Sequence, residues 1–276
     1  MFNLIANIFG YLLNFIYSLF NNYGLSIIIF SILVKLILLP LTIKQQKTME
    51  KTTKLQEEMK SLQFKYKKDP DKLNKEMMDM YKRENMSPFS GCLSSIAQLI
   101  LILAVFYLVR SPLTYMKKID TNLINDYTAK IETKTNYPEV EIIKEFGEED
   151  ENVYINMDFL GLDLSSVPTT NLSDYKTLII PVLYVISSIV STKLTMSMQN
   201  KKQKEEIEGK EKEEESPEEM MQNTSKTMSY MMPVMAFSIS LVAPLGLALY
   251  WLMSNILMIV ERLFINKLMA KKEEVA

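Results

Sequence analysis

The chain has 276 residues, 48% of them hydrophobic and 23% charged, with a formal net charge of -2, one cysteine and no histidine. The missing histidine excludes Ser-His nucleophilic chemistry, and Cys92 by itself makes neither a zinc nor a haem site. No G-x-x-x-x-G-K-[ST] loop occurs among only 7 glycines, so nucleotide hydrolysis has no visible apparatus, and neither cofactor nor specific nucleic-acid binding is expected.

Charged and apolar residues are segregated into blocks. Uncharged runs cover 1–34, 85–109, 177–192 and 227–260 and are separated by densely charged segments. About 20 apolar residues cross a bilayer, so the pattern predicts an all-α polytopic membrane protein. Within the first run, Asn21-Asn22-Tyr23-Gly24 is a break. Ahead of it, Asn3, Asn7, Gly10, Asn14, Ser18 and Asn21 recur in steps of three and four and make one polar stripe. Residues 1–22 therefore read as an amphipathic helix lying in the membrane interface. A basic n-region and a small-residue cleavage site are not evident, so the segment is expected to stay in the mature protein.

The first span is predicted over 24–43. Inside it stands Lys35, the only charge among the first 43 residues. An ammonium in hydrocarbon costs about 3 kcal/mol on insertion scales, which makes such a charge a functional-site candidate. The plainer reading is that its stem extends to the headgroups, since it lies about two turns from the inner end.

Residues 44–86 have strongly helical composition. Leu55, Met59, Leu62 and Tyr66 repeat at heptad spacing, and Leu73, Met77 and Met80 do so after Asp69-Pro70, where aspartate can cap a new helix and proline open it. This predicts an antiparallel helical hairpin. It reads either as an arm packed on itself with a solvated charged face, or as a contact for a ribosome, a targeting factor or an incoming chain.

The second span is expected at 88–109, and the 110–174 loop is assigned no fold. A third span follows at 176–197. Residues 198–226 form a charged linker with too few apolar residues for a core. The 34-residue run 227–260 would reach about 51 Å as one helix, and Pro244 with Gly246 divides it into spans at 227–243 and 245–265, followed by a tail at 266–276. Lys and Arg number 12 in residues 44–86, 6 in 110–174 and 6 in 198–226. Positive-inside counting therefore sets the N-terminus outside, the 110–174 loop outside and the C-terminus in the cytoplasm. Glu261, at the inner end of the last span, is expected in an interfacial ion pair beside Arg262.

The spans also carry small polar groups at helical spacing: Ser31 with Lys35; Ser94, Ser95 and Gln98; Ser187, Ser188, Ser191, Thr192 and Thr195; Ser254 and Asn255. Taken singly, such hydroxyls are packing devices or intrahelical hydrogen bonders. Facing one another, the stripes would line a water-accessible groove in which a cation is hydrated and usable.

The order of these features resembles the YidC family of membrane protein insertases, over about Gly24 to Leu268. GLSIIIFSILVKLILLPLTIKQQ is similar to the family's first core span, MSPFSGCLSSIAQL to the entry into the second, NMDFLGLDLSSVP to the segment before the third, and MMPVMAF with PLGLALYWLMSN to the last two. The resemblance implies five transmembrane helices around a hydrophilic groove open to the cytoplasm and to lipid. Lys35 stands where the family carries a groove arginine, and Thr192 where it carries a glutamine. The implied function is insertion of nascent membrane proteins in a bacterial plasma membrane, alone or with SecYEG, with the ribosome and the signal recognition particle or its receptor as further partners. Acidic or polar client segments would pause near Lys35, Gln98, Thr192 and Trp251, and no covalent catalysis is expected. Attraction at an effective dielectric of about 20 amounts to about 4 kcal/mol at 4 Å. A solute transporter or channel is the rival reading, although no internal repeat is visible. An assembly chaperone that only holds other spans is a second.

Overall fold

The computed structural model describes residues 2–84, 90–132, 135–170, 174–204, 231 and 233–273. Nine α-helices and one small hairpin follow in chain order among them, besides short π and 3-10 turns: α1 Phe2–Phe20, α2 Tyr23–Lys65, α3 Pro70–Arg83, α4 Ser90–Arg110, α5 Thr121–Thr128, α6 Pro138–Phe146, β1 Asp158–Phe159, β2 Leu162–Asp163, α7 Ile179–Lys204, α8 Pro233–Val242 and α9 Leu245–Glu273. Most of the charged linker, 205–226, and the first residues expected in the second and fourth spans, 88–89 and 227–230, lie outside the described residues.

Among the described residues, four helical stretches are able by length and composition to cross a membrane: Asn3–Phe20, Tyr23–Thr48, Tyr175–Leu194 and Leu245–Ile265. Leu99–Arg110 and Pro233–Val242 are apolar but shorter. The long helices turn apolar side chains outward, among them Leu36 and Ile37 on α2, Ile186 and Val190 on α7, and Val260 and Phe264 on α9. Water would penalise such a surface and hydrocarbon does not. The protein is a multi-pass, all-α membrane protein.

The packed core sits at one end of the bundle. Tyr23, Ile27, Phe30 and Val34 of α2, spaced three and four apart, meet Val105, Leu108 and Val109 of α4 and Leu245, Leu247 and Leu249 of α9. The 110–174 segment folds over this end and contributes Leu113, Met116, Ile142, Val153, Ile155 and Leu164. Its register is pinned by backbone bonds. Leu245 N donates to the Ser166 carbonyl and Gly246 N to the Leu164 carbonyl, each at 2.9 Å, so the first turn of α9 finds acceptors for donors that a helix start leaves free. Tyr23 N donates to the Asn156 carbonyl at 3.0 Å, and Asn22 caps α2 by accepting from Leu25 N. Leu160 and Gly161, both at positive φ, form the two-residue turn between β1 and β2.

Helix α1 crosses this same end. Asn3 accepts from the Tyr115 hydroxyl, Asn7 from Lys118, and the Tyr17 hydroxyl from Asn156 N, so residues along its length touch the 110–174 segment. Ala6, Gly10, Leu13 and Tyr17 face inward, while Leu4, Ile8, Tyr11, Phe15 and Leu19 form an exposed apolar row. The close approach depends on Gly10, where a Cβ would lie 1.8 Å from the Tyr115 carbonyl oxygen.

Candidate intramembrane charge site

Lys35 and Glu261 are brought together by the packing of α2 on α9. Lys35 Nζ donates to Glu261 Oε2 at 2.9 Å, across 226 positions of sequence. The local reading of Glu261 with Arg262 is thereby corrected. Successive residues of a helix do not face each other, whereas the buried face of α9 points Glu261 at α2. Lys35 lies about 18 Å from the start of α2 and Glu261 about 24 Å from the start of α9, at 1.5 Å per residue. Lys35 directly follows Val34, the last core residue of α2, so the pair lies at the edge of the packed core, on the side remote from the 110–174 segment.

The two partners are not equally shielded. The lysine side chain is 31% exposed and the glutamate 8%. The second carboxylate oxygen, Oε1, is buried and has no hydrogen-bond partner among the described residues. A carboxylate offers about four acceptor positions, so this one is only partly satisfied. The ammonium, with three donors and access to the surroundings, has capacity to spare.

The predicted polar residues around Lys35 divide into three groups. Ser31 turns inward, 2% exposed, and donates to the Ile27 carbonyl at 2.7 Å, an intrahelical bond. Asn255 Nδ2 reaches Ser187 Oγ at 3.5 Å, and Trp251 stacks obliquely on Tyr184 with ring centres 5.9 Å apart, so these residues lie at the contact of α7 with α9. Buried Ser187 and Ser191 let those two helices approach closely. Ser188 and Thr192 are half-buried on α7. Ser94, Ser95 and Gln98 belong to α4, but their side chains lie outside the described residues. Glu261 is the participant missed from sequence. The signal available was that a second intramembrane charge, opposite in sign to Lys35, stands on another span.

The hairpin is a separate feature. α2 runs without interruption from the first span into the first arm, through Pro40 to Lys65. Asp69 accepts from Lys72 N at 3.1 Å, with Pro70 opening α3. The arms meet through Leu55, which is buried, and half-buried Leu62 and Met77. Tyr81 hydroxyl lies 3.8 Å from Met59 Sδ, and Arg83 pairs with Glu58. Phe64, 85% exposed, stands near the tip, where Lys65 and Lys72 both lie over the Tyr66 ring.

At the other end, Glu139 of α6 is buried and accepts from both Thr114 N (2.9 Å) and Thr114 Oγ1 (2.6 Å). Burial pushes its carboxyl above the usual carboxylate range, and the Thr114 donors oppose that shift. This contact joins α6 to the turn Leu113–Lys117 and is structural.

Residues 15–273 match the family described as 60Kd inner membrane protein. Among curated proteins, the chain is similar to the "Membrane protein insertase YidC" of Treponema denticola, with 28% identity over 268 residues, 97% of this chain and 38% of that protein. The protein of the same name from Fusobacterium nucleatum is 27% identical over 267 residues, 97% of each chain. That of Prosthecochloris aestuarii is 30% identical over 247 residues, 90% of this chain and 33% of that one. The chain thus spans 38% of the first of these relatives, 33% of the third and nearly all of the second.

Proposed function

Because the chain belongs to the 60Kd inner membrane protein family, we propose that it is a membrane protein insertase, accepting nascent membrane proteins and releasing them sideways into the bilayer. The match over residues 15–273 carries this reading. The architecture supports it. The bundle is sealed by its core at the end covered by the 110–174 segment, and an intramembrane ion pair lies toward the other end. Positive-inside counting makes the sealed end extracytoplasmic and the hairpin cytoplasmic. α1, with its exposed apolar row, then rests in the outer interface.

No covalent step is involved. A polar client segment that pauses beside Lys35 has a partner partway across the hydrocarbon, while its apolar stretch partitions to lipid along the exposed apolar faces of α7 and α9. The hairpin, with its basic tip, is the arm available to a ribosome or a targeting receptor, and SecYEG is a partner for larger clients.

The test is reconstitution of the purified full chain in liposomes, followed by translation of a short single-span client. Protease-protected client, without Sec components, is the expected outcome. Flux of a small solute without any protected client would replace this reading with a transporter. Binding of client spans without protection would replace it with an assembly chaperone.

A further inference from the structure

Glu261 has the chemistry that a client would bring to Lys35. It is a carboxylate, its side chain is only 8% exposed, and it already holds the lysine ammonium at 2.9 Å. The ammonium keeps 31% exposure and unused donors, so a second carboxylate can approach from its open side without the first leaving. Any such approach meets the negative charge of Glu261, since like charges within a few Å repel. Lys35 and Glu261 form a neutral pair beside Arg262, and their attraction for acids is weaker than that of the same site without the carboxylate.

We propose that Glu261 is a resident competitor for client carboxylates, which weakens their capture at Lys35 and speeds their release into lipid. This rests on the insertase reading and deepens it, because it assigns a residue that sets specificity for client charge. Among the described residues Lys35 is the single side chain that donates to Glu261, so removing or reversing this one contact isolates its role. Half-buried Arg262, the next residue, carries the nearest charge along α9.

The experiment uses the full chain in liposomes and two clients that differ only in the segment preceding their span, one with aspartates there and one with asparagines. Both protected product and client still bound to the protein at a fixed time are measured. In E261Q the aspartate client is expected to remain bound on the order of fivefold more, the ratio equivalent to about 1 kcal/mol of removed competition, with the asparagine client unchanged. The charge-swapped variant K35E/E261K keeps an ion pair between α2 and α9. It is expected to lose retention of the aspartate client by a larger factor than that of the asparagine client. Equal loss of both clients in E261Q, with both restored by the swap, would make the pair a mere staple and overturn the proposal. Unchanged retention in E261Q would overturn it as well. Failure of the parent protein to insert either client would instead refute the insertase reading, and this inference with it.

Discussion

The unequal shielding of Lys35 and Glu261 predicts an unequal response to removing either one. At 2.9 Å and an effective dielectric of about 20, their gross attraction is about 6 kcal/mol, most of which offsets the desolvation of the two groups. Lys35→Met leaves a carboxylate that is 8% exposed without its partner and, among the described residues, with no second donor, at a cost of about 3 kcal/mol. Glu261→Met leaves an ammonium that is 31% exposed and can rehydrate, at a cost of about 1 kcal/mol. The double variant K35M/E261M leaves no charge and packs an unbranched apolar pair, so it should lie within about 1 kcal/mol of the parent. The assay is denaturant unfolding in mild detergent, followed by the fluorescence of Trp251, the chain's single tryptophan, which sits against Tyr184 where α7 meets α9. If Glu261→Met costs as much as Lys35→Met, the asymmetry argument fails. If the two single costs simply add in the double variant, the pair is not energetically coupled.

Gly10→Ala would place a Cβ 1.8 Å from a backbone oxygen that cannot rotate away, so α1 must lift from the turn at Leu113–Lys117. A loss of about 3 kcal/mol is expected, read as faster hydrogen exchange of residues 2–20. Glu139 has a carboxyl pKa raised by burial above the usual 4.5, so the folded state binds its proton more readily than the unfolded state does. Its contribution to stability therefore falls as pH rises from 4.5 through the folded value. Protection of residues 138–146, corrected for intrinsic exchange, should decline over that interval in the parent and stay flat in Glu139→Gln, which keeps an acceptor for Thr114 N. Asp69→Ala removes the cap of α3 and should cost the hairpin about 1 kcal/mol, seen as earlier proteolysis within residues 70–83.

The parts of the fold that were legible in the sequence are those governed by local chemistry. Asparagine and glycine mark the end of α1 and the start of α2, Pro244 separates α8 from α9, and Asp69-Pro70 opens α3, because caps and breakers act within a few residues. The continuity of α2 from span to arm was not legible. Charge patterning changes at Lys44, but helix hydrogen bonds ignore the change from apolar to charged side chains. The 110–174 segment stayed unassigned because its order comes from distant partners, such as Tyr17 with Asn156 and Leu245 with Ser166. Lys35 was legible as an isolated charge, whereas its partner required the packing of two helices far apart in sequence.

The uninterrupted course of α2 through Pro40 has a mechanical consequence. Proline supplies no N–H, so the carbonyl of Leu36 lacks its helical donor, and the rod is weakest one turn beyond Lys35. From Pro40 to Lys65 the rod measures about 38 Å, so bending it by about 10° at this point sweeps the hairpin end through about 6 to 7 Å. Lys35 lies on the fixed side of that joint, where α2 is held against α9. The part of the rod beyond Pro40 can thus swing while the ion pair keeps its geometry, and movement of the hairpin is mechanically separated from the contact of α2 with α9.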